Sequence, residues 1–561
     1  MGGATMRTGC VVTSDVAAAA GVSQGRSRRL SVRRAVSGET RRRAQKVRER
    51  LTDVPSRPAS RRQLWEDAAN DRMDFWAKRA RELLWTTDFS EVLDWSKAPF
   101  AQWFVGGTLN VTVNCVDRHV AAGKGGRVAI HWVGEHGDRR DITYGQLLSE
   151  VGKAANYLDG IGLRAGDRVA ICMPMIPEAV VAMLACARLG LVHVLVDAAS
   201  SAATTRLLLD DSRARLVITA DGHFRGGVAM PLKGVLDEAL AHGDAPRASV
   251  ERIVVVRRTG DSVESTWVDN RDVWWHDAVG SAGEHHDPGS FDAEHPLFLF
   301  YPSFAEGKPR GIVHTSGGYL TQARYTFRFV FGQEEDADVF WCDTELATIA
   351  GHTYQVYGPL SAGATSVIYE GGADLLDERR HVRIIADYGV TTYYVAPNAV
   401  RTFVGSEPRA IAASSLTSLR LVGTLGEPHS EPARRWCRDI LGGERCPVAV
   451  TWWQEETGTI VVAPLPGASA CSAGSSMSPL PGISAHIVDD EADLVVPGEN
   501  GHLVMDRPWP SMARGIWGDD DRFIYTYWRR FTERCWYYTG VDAHYGEDDA
   551  IRLHDVPVDV A

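Results

Sequence analysis

The sequence has 561 residues, 24% of them charged and 44% hydrophobic, a make-up that fits a water-soluble globular protein of roughly two to four domains and not a disordered or fibrous chain. Its formal net charge of -12 argues against whole-protein binding to nucleic acid or to an anionic membrane. The nine cysteines form no C-x-x-C pair and have no histidine at metal spacing, which disfavours a zinc site and favours free thiols in a reducing cytoplasm.

Residues 11–51 are rich in alanine and arginine with helical character, and Pro55 and Pro58 mark a linker after them. The first thirty residues hold no apolar core of a secretion signal. Beyond the linker, short apolar runs alternate with helix-length segments: 128–132, 168–173, 192–196, 215–220, 252–258 and 418–423. That alternation predicts α/β layers built on mainly parallel sheets. The longest apolar stretch, 169–196, is broken by Pro174, Pro177, Glu178 and Arg188, so it reads as strand, turn and buried helix and not as a membrane span. Residues 301–320, YPSFAEGKPRGIVHTSGGYL, have the outline of a glycine-and-lysine phosphate loop, although Phe304, Ala305 and Glu306 stand where small hydroxyl residues would let backbone N–H groups approach an anion. From Gly482 onward, 483–490, 492–497 and 501–505 predict a smaller set of antiparallel strands.

Several long blocks in one order carry a family resemblance: WFVGGTLNVTVNCVDRH (103–119), MPMIPEAVVAMLACARLG (173–190), GKPRGIVHTSGGYLTQ (307–322), GHTYQVYGPL (351–360), GEP (426–428), TWWQEETG (451–458) and RPWP (507–510). From about Arg61 to Asp548 the chain resembles acetyl-coenzyme A synthetase, of the AMP-forming acyl-CoA synthetase superfamily. The resemblance implies an adenylate-forming large domain with two doubly wound subdomains and a partial β-rich third. It also implies ATP, Mg2+ and coenzyme A as cofactors and a short carboxylic acid as substrate. Nucleotide contacts would come from Ser303, Gly307, Lys308, Gly426, Glu427, Pro428, Thr451, Trp452 and Gln454, a short acyl pocket from Trp453, Ile349, Ala350 and Leu425, and the Mg2+ carboxylate from Glu456. No catalytic side chain is assigned, because the family's adenylation lysine lies in a carboxy-terminal domain for which residues 549–561 stand as a short tail.

Departures from the family pattern predict impaired catalysis. Pro302, Phe304, Ala305 and Glu306 replace the small residues of the phosphate loop, Glu455 replaces a phosphate-contacting threonine, and Val450 an aspartate at the adenine edge. Val541 stands where the ribose carboxylate belongs, with Asp542 one position late. Asp197–Ser201 replace a Phe-Gly-Gly-Phe-Ser run on the coenzyme A side, and Glu306 and Glu455 are both expected to repel a triphosphate. His352 reads as a structural histidine, since nothing adjacent marks it as a base.

Residues 1–58 are expected to form a separate basic head. Asp15 to Ser23 followed by Val36 to Arg42 resembles the helix-turn-helix of lac-repressor-type regulators, which would set Gln24, Arg26, Arg28 and Arg29 towards DNA. One residue is missing within the recognition helix, which turns everything after it by about 100°. Three functional classes therefore stand side by side: a working acetate–CoA ligase, a pseudoenzyme or regulator whose ligand-sensing synthetase-like domain modulates a DNA-binding head, and a decaying fusion. The expectation is an acetyl-CoA synthetase homologue with impaired catalysis and no membrane partner.

Overall fold

A computed structural model describes residues 59–241, 250–302, 308–332, 338–371, 378–396, 399–400, 416–425, 435–443, 445–464 and 477–554. The expected head at 1–58 lies outside them. Three sheets organise the described chain. The first runs in the order 272–274, 252–256, 216–220, 168–172, 192–196, 296–300 and 312–315, parallel throughout except for the last strand. The second runs 448–450, 421–424, 392–395, 339–343, 365–369, 128–133 and 139–143, again parallel with one antiparallel edge. In each, the strand order reverses about a central strand, as in a doubly wound α/β layer. The third sheet is antiparallel, in the order 462–464, 477–479, 551–553, 537–545, 500–505 and 485–488.

The sequence explains why these elements form where they do. Val192–Val196 and Leu216–Ala220 are buried at every position, as strands covered on both faces must be. Helix Pro177–Leu189 starts with proline at its first turn, ends on Gly190 in the left-handed region (φ 69°), and is buried along nearly its whole length. Helix Tyr144–Gly160 opens with a reciprocal cap in which Thr143 and Gln146 bond each other's backbone N–H (3.2 and 2.9 Å). Helix Arg72–Ala80 packs Phe75 and Trp76 against Tyr325, and Arg72 donates to the carbonyls of Gly482 (2.8 Å) and Pro508, tying the start of the described chain to its last sheet. No helix among the described residues is long and apolar enough to cross a membrane.

Two boundaries differ from the sequence reading. Residues 492–497 form no strand; Ala492 turns through φ 63°, and only Leu494 bridges back to Val488. Ile551–Leu553 extends the folded body past 548, because buried Ile551 pairs with both Tyr545 and Met477.

Helix Ser316–Phe331 carries a close backbone contact at one of its glycines. A Cβ on Gly318 would sit 2.1 Å from the Pro510 carbonyl oxygen, a backbone atom that cannot swing aside. Gly318→Ala gains helix propensity but should still lower stability by about 1–3 kcal/mol. Urea unfolding would read this as a lower midpoint, and a raised midpoint would contradict the close contact.

Candidate functional site

The site grows from the turn that follows the edge strand Val448–Val450. Thr451 is buried; its hydroxyl donates to the Thr424 carbonyl (2.9 Å) and accepts from Tyr394 (2.7 Å), whose oxygen in turn accepts the Trp453 indole N–H (3.1 Å). A relay of three hydrogen bonds thus fixes the Trp453 ring to the strand ends of the second sheet. The Trp452 backbone N–H bonds Val462 (2.8 Å), joining the turn to the third sheet. Gln454 donates to the Thr539 carbonyl (2.7 Å) and caps the short helical turn Glu455–Thr457, which Gly458 ends at φ 72°. Ile349, Ala350, Leu425 and Trp453 all belong to or pack on one continuous apolar cluster.

The turn presents two adjacent carboxyl groups. Glu456 is buried: Tyr527 donates to its Oε1, and the Arg310 guanidinium lies 3.4 Å from the same oxygen. Tyr527 stacks on Tyr537 (centroids 5.4 Å apart), and Arg310 lies over Tyr527 at 5.8 Å. Burial, then the neighbouring Glu456, pushes the Glu455 carboxyl up to about 7. The full-charge repulsion expected of Glu455 therefore applies only to its ionised fraction near neutral pH. His314 Nε2 donates to the Glu455 carbonyl (2.9 Å), and the Ala513 N–H to that of Glu456 (2.8 Å), so the backbone under both side chains is pinned from the edge of the first sheet.

Of the expected phosphate-loop residues, Ser303 and Gly307 lie outside the described residues, as do Gly426, Glu427 and Pro428. Lys308 is exposed and bonds Asp519 (2.9 Å), which also caps helix Asp520–Tyr527. Arg522 donates to the Lys308 and Pro309 carbonyls (3.1 and 3.0 Å), closing the tie. Arg310, which the sequence reading passed over, is the cation that faces the carboxylates, and Tyr527 was missed with it. A Lys-Pro-Arg run offers two cations, and nothing local says which one Asp519 will take.

The remaining departures behave as strand geometry dictates. Val541 is buried and Asp542 points to the opposite face, where it bonds His502 (2.7 Å). Gly540 (φ 75°) and the adjacent register shift do not bring Asp542 back. Asp197 accepts the Ala199 N–H (2.8 Å) and Ser201 caps helix Ala202–Ser212, so these side chains serve the local turn.

No group of three or more His, Cys, Asp or Glu among the described residues could cage a metal. Mg2+ does not need one, since it takes one or two carboxylates with waters and phosphates, and both contacts on Glu456 fall on Oε1. The site fits Mg2+ in that manner. For the nucleotide, the position expected to meet the ribose holds buried Val541, which offers no side-chain acceptor.

Behind the turn three histidines are wholly buried. His352 donates from Nδ1 to the Thr348 carbonyl (2.9 Å) and stacks on His193 (5.6 Å, 14°); burial lowers its pKa to about 4, that of His314 to about 3, and that of His193 well below 6.5. Each stays neutral in the fold and gains a proton on unfolding, so their contribution is present above the unfolded value of 6.5 and is lost as pH falls through the folded value. His352→Gln should flatten the acid loss between pH 6.5 and about 4 by about 1.4 kcal/mol per pH unit. Urea midpoints across that range would test it, and an unchanged slope would mean that His352 titrates normally.

Comparison with known proteins gives two adjoining family matches: acetyl-coenzyme A synthetase N-terminus over residues 61–115 and AMP-binding enzyme over 117–517. An acetyl-coenzyme A synthetase of Mycobacterium bovis is 54% identical over 508 residues, 89% of this chain and 77% of that protein. One of Streptomyces avermitilis is 51% identical over 489 residues, 87% of this chain and 74% of that protein. One of Mycolicibacterium smegmatis is 54% identical over 505 residues, 88% of this chain, which spans only 53% of that longer protein.

Proposed function

The chain belongs to the acetyl-coenzyme A synthetase family of AMP-binding enzymes, and from that premise we propose that it binds a short carboxylic acid and Mg2+-ATP and joins them as an acyl adenylate on the way to acyl-CoA, with a weakened hold on the nucleotide. The observation that carries this reading is the buried Glu456 held between Tyr527 and Arg310, next to a Trp453 ring fixed by Tyr394.

In this reading one carboxylate oxygen of the acid attacks the α-phosphorus of ATP, and the bond to diphosphate breaks; coenzyme A sulfur later displaces AMP from the acyl carbon. Mg2+, when bound at Glu456, would neutralise part of the triphosphate charge. Tyr527 and Arg310 orient Glu456 through Oε1 and leave Oε2 for that role. Arg310 is also placed to meet anionic oxygens of the nucleotide, which Lys308, tied to Asp519, is not. Trp453 closes the acyl end and excludes water from it. Val541 gives the ribose hydroxyls no acceptor, and the ionised fraction of Glu455 opposes phosphate.

The impaired hold is supported by these two positions. Gln24, Arg26, Arg28 and Arg29 lie ahead of every matched residue, and a DNA partner for them is supported by their sequence pattern alone.

Acetate-dependent exchange of labelled diphosphate into ATP tests the adenylation step without coenzyme A, and calorimetry with Mg2+-ATP tests the hold on the nucleotide. Val541→Asp should tighten Mg2+-ATP about tenfold, the effect of one hydrogen bond to a charged group, and Glu455→Thr roughly threefold to tenfold. Asp542→Asn, on the outer face, should leave that affinity unchanged. Tight binding by the parent chain, or a loss in Asp542→Asn equal to the gain in Val541→Asp, would overturn the ribose argument.

A further inference from the structure

A cavity of about 300 Å3 opens on the side of the strand Ile312–Thr315 opposite His314. It lies at the seam between the two matched segments, lined by Asp94, Lys97 and Phe100 from the first and by Pro296, Val313 and Arg514 from the second. Its volume is roughly that of ten waters, at the lower end of the range for small-molecule sites.

The floor is a closed ion pair. Glu294 accepts from Arg514 at both oxygens (2.6 and 2.9 Å) and from the Trp103 N–H (2.8 Å), while Arg514 also donates to the carbonyls of Met512 and Pro510. Neither member has charge left to offer a ligand. The mouth is different. Lys97 is exposed, Asp94 is partly exposed and accepts the Ser96 N–H (2.8 Å), and neither belongs to an ion pair among the described residues. One cation and one anion thus face the same opening above apolar walls of Phe100, Ala101, Pro296 and Val313.

A simple anion entering here would meet Lys97 but also Asp94, and a simple cation would meet Asp94 but also Lys97. A ligand carrying both charges satisfies both sides of the rim. We infer that this cavity binds a zwitterionic α-amino acid with an apolar side chain, its carboxylate on Lys97, its ammonium on Asp94 and its side chain between Phe100, Pro296 and Val313. The site stands apart from the nucleotide reading and does not depend on it.

The full-length chain should show heat of binding and a raised melting temperature with L-leucine. Leucinamide, which lacks the carboxylate, and N-acetylleucine, which lacks the ammonium, should each bind about fivefold more weakly, the upper range for an exposed ion pair. Lys97→Met should bind leucine and leucinamide alike, and Asp94→Asn should bind leucine and N-acetylleucine alike; both side chains are at the surface, so both variants should fold. Equal binding of leucine and N-acetylleucine by the parent chain would make this a plain anion site and overturn the inference. So would leucine affinity unchanged in both variants, or no response to any of the three ligands.

Discussion

A carboxylate taken out of water must be given partners or it will not stay buried, and Glu456 is in that position. The carboxylate is met by Arg310 after the phosphate loop and Tyr527 from a late helix, while the Ala513 N–H holds the Glu456 main-chain carbonyl. None is near in sequence. The constraint draws the loop, the helix and the strip 513–517 to one point, and the ties of Lys308 to Asp519 and of Arg522 to the loop carbonyls follow from it. Losing either side-chain partner would leave charge stranded in the interior, so the cluster acts as one unit.

The relay from Trp453 through Tyr394 and Thr451 to Thr424 does for the apolar side what that cluster does for the charged side. An indole is large, and its N–H must find an acceptor when covered. By giving it a phenol that is itself held at the end of a parallel strand, the fold sets the ring at a fixed height above the turn. The two arrangements share the residues 451–458, so a single turn carries both the fixed indole and the buried carboxylate.

The parallel strands could be read from the sequence because they are covered on both faces and so appear as unbroken apolar runs; 192–196 and 216–220 are of this kind. The segment 492–497 had a similar apolar look, but Ala492 turns the chain there and Leu494 makes only an isolated bridge to Val488, so no strand forms. At the site, the turn 451–458 was legible as a block, as was the one-position displacement of Asp542, which strand alternation turns to the face opposite Val541. Arg310 and Tyr527 were not legible. Their place is set by Glu456, far from both in sequence, and contacts of that kind leave no local pattern.

The edge of the first sheet shows what such distant contacts mean for a chain as it is made. Strand Ile312–Thr315 is the last of its sheet, and its outer side bonds the later strip 514–517: Val313 donates to Gly515 and accepts from Arg514, and Trp517 donates to Gly311 just before the strand. Until the ribosome has released that later strip, the strand offers unpaired N–H and C=O groups, the template on which a second nascent chain can build. The first sheet can assemble early, but it is sealed late. In that interval the open edge faces whatever nascent chain lies beside it on the polysome.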